Sequence, residues 1–139
     1  MVDHNQVLRD YLGSVSALTS LLGSFGVVAG QLPEKFDPDA TPASSPCVVV
    51  NREGAGTPFE TSAIVTARMK VRTWCGMNQY QKAAQVDAQI FEALALVNGV
   101  TVASGTIIKS IPNAVGNDIT DPDTGWATVL SYYEVTARV

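Results

Sequence analysis

The stretch that decides the fold is AIVTARMKVRTWC at residues 63–75, which runs directly into an amphipathic segment ending near Val97. Its odd positions are mostly apolar or small, whereas its even positions include Arg68, Lys70 and Arg72. Because side chains along a strand alternate between the two faces of a sheet, this pattern predicts a long strand with one core face and one basic, polar face. So long a two-faced strand, with no catalytic residue near it, indicates a surface for assembly rather than a pocket.

A long helix is predicted to follow this strand. Asn78 is placed to cap its N-terminus, Tyr80 lies at its entry, and the pair Asn98 and Gly99 is typical of its end. Apolar residues at three- and four-residue spacing predict the face that packs on the core, and these are Ala83, Val86, Ile90, Leu94 and Val97. The residues predicted to lie away from that face are Lys82, Asp87, Gln89 and Glu92.

The rest of the chain alternates short elements with loops. In chain order, the predicted elements are a helix capped by Asp3, a short second turn from Ser16, an apolar piece over 27–29, a proline-rich loop over 32–42, a buried strand over 47–50, a turn over 53–58, the long strand and helix, a strand over 106–111, a polar loop over 112–125 and a two-faced strand over 126–139 with Val139 on its core face. This order predicts an α+β fold, with a single mostly antiparallel sheet and helices packed on one face. No repeat or boundary divides the chain, so residues 1–139 are predicted to form a single domain.

Composition limits the function classes. The chain has 139 residues and a net charge of −4 from 13 acidic and 9 basic residues, which argues against sequence-independent binding of nucleic acid. No apolar run approaches 20 residues and no basic, apolar leader is evident, so we expect a soluble chain with no membrane partner. Cys47 and Cys75 lie in apolar patterns and are expected to be buried thiols, although a disulfide between neighbouring strands is an alternative. His4 is the only histidine and is expected in a mobile first turn, so a zinc site is not predicted.

The candidate contact residues lie in three places. Arg68, Lys70 and Arg72 project from one strand face and either contact an acidic neighbour or passing DNA, or form a solvated face that discourages aggregation. Trp74, at the end of the same face, is either an interface anchor or packed within its own subunit. The third set comprises the loop carboxylates Asp118, Asp121 and Asp123 together with Phe36 in the proline-rich loop.

Those loop residues have ordinary alternatives. Asp, Pro and Gly in 112–125 would also serve the turns of a hairpin, and Phe36 would also pack against the core. The carboxylates lack EF-hand spacing, so no metal is predicted. Gly54 and Gly56 lack the strand–loop–helix setting of a phosphate cradle, and His4 is a poor general base. We therefore predict no catalytic residues, no cofactor and no enzymatic activity, with a small ligand-binding or enzymatic α+β domain as the alternative from another class.

The order of these segments resembles a known family. LRDYL, LPEKF followed by PCVVVNR, TARMKVRTWC, NQYQKAAQVDAQIFEAL and SYYEVTARV occur along the chain in an order similar to that of the phage tail-completion proteins, the tail-terminator or tail-to-head joining group. The resemblance implies a virion structural protein of the tail or neck, assembled in the host cytoplasm, which caps the tail tube as a ring, usually of six copies. Its implied partners are itself, the tail-tube protein and the head–tail connector or stopper protein. DNA would pass through the lumen without specific binding. Another neck component, such as a head-completion or stopper protein, is the nearest alternative.

Overall fold

The computed structural model describes residues 2–53 and 63–139. Its elements, in chain order, are helices α1 (His4–Ser14) and α2 (Ser16–Thr19), strand β1 (Val27–Ala29), a 3-10 turn (Pro42–Ser44), strands β2 (Cys47–Arg52) and β3 (Ile64–Met77), helix α3 (Tyr80–Ala95), and strands β4 (Asn98–Val102), β5 (Gly105–Thr120) and β6 (Trp126–Arg138). The predicted connection over 53–58, including Gly54 and Gly56, lies almost entirely outside the described residues.

The strands form one six-stranded sheet in the order β1-β2-β3-β6-β5-β4. β1 pairs with β2 in parallel, and the other four pairings are antiparallel. The α+β class is therefore confirmed, but the sheet is mixed and curled like half a barrel rather than plainly antiparallel. The parallel pair arises because the chain leaves β1 through the long proline-containing loop and so enters β2 in the same direction.

The core lies between one face of the sheet and the two longer helices. Val65, Met69 and Val71 of β3 are buried there, as the alternation predicts, together with residues of both helices. The helical members of this cluster are Val7, Leu8 and Leu12 of α1, and Val86, Ile90 and Leu94 of α3. We call this the helix face of the sheet and the opposite one the outer face.

The N-terminal helix is attached more firmly than the sequence suggested. Asp3 caps it as predicted, because its carboxylate accepts a hydrogen bond from the backbone N–H of Gln6. The expectation of a mobile first turn at His4 is wrong: His4 is 2% exposed, and its Nε2–H donates to the carbonyl of Val65 at 3.0 Å. That bond joins α1 to the start of strand β3, across 61 residues of sequence.

The core stripe of α3 agrees with its predicted apolar face, but one flanking residue does not. Asp87 was expected away from the core, yet it is only 7% exposed. It lies four residues after Ala83, on the edge of the buried stripe, and the distal part of β5 covers that edge. The cap position also differs, because Gln79 rather than Asn78 precedes the first helical residue and makes no side-chain capping bond.

The third region of difference is the segment after α3. Asn98 begins strand β4 instead of simply ending the helix, and β5 continues to Thr120 through most of the predicted loop. Register shifts on either side of Ala114 let β5 follow β6 despite Pro112. β4 pairs with β5 only as far as Lys109, so among residues 2–53 and 63–139 Pro112 has a neighbouring strand on the β6 side alone. The strand ends also differ, since Val139 is 68% exposed rather than in the core.

Both cysteines are buried free thiols, as the first alternative predicted. Cys47 packs with Phe36 and Val49, whereas Cys75 packs in a separate cluster with Ala83. Burial raises the pKa of Cys47 to about 12 and that of Cys75 to about 11. Both thiols are therefore protonated and unreactive in the folded chain at neutral pH.

Candidate functional site

The three cations of β3 share the outer face of the sheet. We call Arg68, Lys70 and Arg72 the basic stripe. In the register with β6, Arg68 lies opposite Glu134, and Lys70 lies opposite Tyr132. Arg68 is exposed, whereas Lys70 and Arg72 are half-buried.

Local contacts hold the two arginines of the basic stripe. The Arg68 guanidinium lies 4.3 Å from the centre of the Tyr132 ring, and its Nε is 3.7 Å from a carboxylate oxygen of Glu53. The Arg72 guanidinium lies 4.3 Å from the centre of the Trp74 ring. Its Nη2 also donates to the hydroxyl of Thr128 at 3.3 Å.

Lys70 differs from the two arginines in its partners. Within 2–53 and 63–139, no carboxylate forms an ion pair with Lys70. Together with Arg72, Asn51 and Trp74, it lines a small depression of about 130 Å³. The basic stripe therefore offers one cation that no carboxylate of the described chain neutralises.

An aromatic cluster covers the end of the outer face nearest β2. It consists of Phe25, Phe36, Trp74 and Trp126. The Phe36 and Trp126 rings meet edge-on with centroids 5.3 Å apart, and Trp74 meets Trp126 edge-on at 6.3 Å. Phe36 is 3% exposed, so the proline-rich loop packs back on its own sheet and Trp74 packs within its own subunit. Among the described residues, this cluster therefore covers one end of the outer face.

The three aspartates predicted near one another in a loop are dispersed. Asp118 lies on β5, Asp121 in the turn before β6, and Asp123 is exposed at the turn's tip. The Asp121 carboxylate accepts bonds from the backbone N–H and the hydroxyl of Thr124, at 3.1 and 2.6 Å, so it forms the turn. Within the part of the chain that the structure describes, no three His, Cys, Asp or Glu side chains are grouped to hold a metal ion.

The structure adds a groove that sequence reasoning missed. It lies between α3 and the distal half of β5 and has a volume of about 480 Å³. We call it the acidic groove and define it by Asp87, Phe91, Glu92, Val115 and Asp118, which line it together with four small or apolar residues. Phe91 is 40% exposed and Val115 is 41% exposed, so apolar surface lies between the three carboxylates.

Asp87 is the most perturbed group of the acidic groove. Burial raises the pKa of Asp87, the hydrogen bond from Ser131 lowers it, and the charge of Asp118 raises it further. The Ser131 hydroxyl donates to Asp87 Oδ1 at 2.7 Å and accepts a bond from the backbone N–H of Gly116 at 3.0 Å. One signal for this groove was present in the sequence: Ser131 is a hydroxyl at a core-face position of the last strand, and such a group requires a partner.

No protein-family model and no curated protein matches the sequence. A chain of the solved structure described as "Virion of native gene transfer agent (GTA) particle" has the same fold, with a TM-score of 0.70 and 12% sequence identity. The similarity covers 98% of this chain and 95% of that chain. At this identity the likeness establishes a shared fold.

No helix among residues 2–53 and 63–139 combines the length and the hydrophobicity needed to cross a membrane.

Proposed function

We propose that this protein is a virion structural protein that closes the end of a phage tail tube as a ring and joins the tail to the head connector or stopper protein. The observation that carries the proposal is the fold shared over nearly the whole of both chains with a component of a phage-like particle. The order of segments in this chain adds support, because the resemblance to the tail-terminator group rests on the sequence and not on the fold comparison.

The surfaces of the chain suit a protein that acts by binding alone. A closed ring needs two different patches on each subunit, so that copies join head to tail. The basic stripe and the acidic groove are two such patches, on opposite faces of one sheet. The net charge of −4 per chain also suits a conduit, since DNA would slide past without being held by its phosphates.

The test is removal of the protein from the phage or particle that encodes it. A cap that stops tube growth leaves tails of uncontrolled length when it is missing, and filled heads then fail to acquire tails. We expect both defects by electron microscopy, and rescue by the chain supplied from a plasmid. Antibody labelling of intact particles should mark the head–tail junction. Tails of normal length in its absence would refute a capping role.

The same experiment separates the nearest alternative. A head-completion or stopper protein acts on the head, so its loss leaves tails of normal length beside heads that release their DNA. The shared fold supports a virion structural role without separating these two neck roles, and the segment order favours the terminator. The fold shared with a chain of a virion particle favours a structural role over the enzymatic alternative.

A further inference from the structure

We infer that the acidic groove of one copy receives the basic stripe of the next copy, and that this contact builds the ring. The inference rests on the proposed function and adds to it the identity of the two surfaces that meet. The occupant of the groove is thus a second copy of this chain.

Charge complementarity is the first argument. The groove holds three carboxylates and no lysine or arginine among its nine lining residues. The stripe holds three of the nine cations in the sequence, and Lys70 lacks a carboxylate partner within the described chain. The Arg68–Glu53 pair is about half exposed on both sides, and exposed pairs of this kind contribute little, so Arg68 can exchange that partner for another.

The second argument is the mixture of apolar and charged surface in the groove. Phe91 and Val115 are exposed in a monomer, between Asp87, Glu92 and Asp118. Lysine and arginine match such a lining, because their aliphatic stems pack on apolar surface while the charged ends reach carboxylates. A volume of about 480 Å³ is large enough to admit long side chains of this kind.

The third argument is the placement of the two patches. The stripe lies on the outer face of β3, whereas the groove lies on the helix face beside β5, with β6 between the two strands. A contact between them uses different surfaces on the two copies, and so it leaves one free stripe and one free groove for further copies. Repetition of that contact closes into a ring when the rotation permits.

A pair of charge-reversal variants tests the contact. The stripe variant carries Arg68→Glu and Lys70→Glu, and the groove variant carries Glu92→Lys and Asp118→Lys. Arg72 and Asp87 are left unchanged because both are held by internal hydrogen bonds. Each variant alone would face like charge with like charge, so we expect self-association at least about a hundredfold weaker than that of the unmodified chain.

An equal mixture of the two variants should assemble. Each reversed stripe then meets a reversed groove, and each natural groove meets a natural stripe, so the copies alternate in an even-numbered ring. We expect analytical ultracentrifugation and negative-stain images to show rings from the mixture and monomers from each variant alone. Increasing NaCl should weaken the unmodified ring, because screening reduces the attraction.

Matched controls carry the same change of charge elsewhere. The control for the stripe variant carries Lys35→Glu and Lys82→Glu. The control for the groove variant carries Glu34→Lys and Asp123→Lys. All four positions are exposed and lie outside both patches. Both controls should assemble like the unmodified chain. If a reversal prevents folding, as judged by circular dichroism, the neutral pairs Arg68→Gln with Lys70→Gln and Glu92→Gln with Asp118→Asn replace it. Each neutral pair should reduce the salt dependence of assembly, because it removes two of the three charges of its patch.

Three results would overturn the inference. Rings formed by either reversal variant alone, or by either neutral pair with unchanged salt dependence, would show that other surfaces meet while leaving the capping role intact. A mixture that stays monomeric would show that the two patches do not face each other. An unmodified chain that remains monomeric at low salt and high concentration would exclude the contact in solution. The capping role is judged separately, by tail length in particles that lack the protein.

Discussion

Replacing Phe36 by alanine tests whether the aromatic cluster holds the proline-rich loop on the sheet. Phe36 is 3% exposed and lies edge-on to Trp126, with a second contact to Phe25 at a centroid distance of 6.4 Å. Replacing a buried phenylalanine by alanine typically lowers the free energy of unfolding by about 3–5 kcal/mol. Since the rings around Phe36 are only half-buried and can partly collapse into the space it leaves, we expect a loss of about 3 kcal/mol in the free energy of unfolding.

Phe36→Leu is the matched control for this change. It keeps most of the buried apolar volume and loses only the edge-on ring contacts, so we expect a loss of about 1 kcal/mol. Urea unfolding monitored by circular dichroism gives both values. Trp74 and Trp126 are the only tryptophans, and both lie in the cluster, so their fluorescence reports its opening directly.

The outcome separates internal packing from an interface role for Phe36. A residue that served only a contact between copies would alter self-association and leave the unfolding of the monomer unchanged. A loss below about 1 kcal/mol for Phe36→Ala, with an unchanged tryptophan spectrum, would refute the packing argument.

Three further predictions concern buried groups. Burial raises the pKa of Asp87 in the folded chain, so its ionisation lowers the stability of the fold as the pH rises from the ordinary pKa near 4 through the raised pKa. The Asp87→Asn side chain can still accept the hydrogen bond from Ser131 but cannot ionise. At pH values above the raised pKa, this variant should therefore be more stable than the natural chain, by about 1.4 kcal/mol for each unit by which the folded pKa exceeds the unfolded one. Urea midpoints at pH 4 and pH 8 measure this, and an equal effect at both pH values would contradict it. Ile90→Asp should abolish soluble folding, because Ile90 is fully buried and the new carboxylate would have no partner. The control Gln85→Asp, at an exposed position of the same helix, should fold. A folded Ile90→Asp chain would show that the buried face of α3 is assigned wrongly. Cys47 and Cys75 should resist alkylation at pH 8 and both react in urea, since burial raises their pKa values; rapid labelling of the folded chain would count against their protection.

The elements that the sequence predicted well are those whose pattern is local and long. In β3 and α3, alternation and helical spacing persist over many residues, so the buried face follows from the chain itself. The cap at Asp3 was also predictable, because it depends on residues within one turn. The placement of the basic stripe on a face away from the helices follows from the same alternation.

The acidic groove could not be derived in this way. Residues 112–120 contain proline, glycine and polar residues that are typical of a loop, and they form strand because β6 offers a complete partner along its length. That extension brings Gly116 and Asp118 over α3, and it buries Asp87, a residue that helical spacing alone leaves at the margin of the core. Tertiary pairing here overrode local preference.

By itself, the sequence determined an α+β domain with a long two-faced strand, a core-facing helix and a basic outer stripe, because periods of two and of 3.6 residues are properties of the chain. Only the tertiary structure decided that one strand pair is parallel, that the proline-rich loop folds back to bury Phe36, and that a groove with three carboxylates forms beside β5. These features depend on which segments meet across long separations, and no local pattern of residues encodes those meetings.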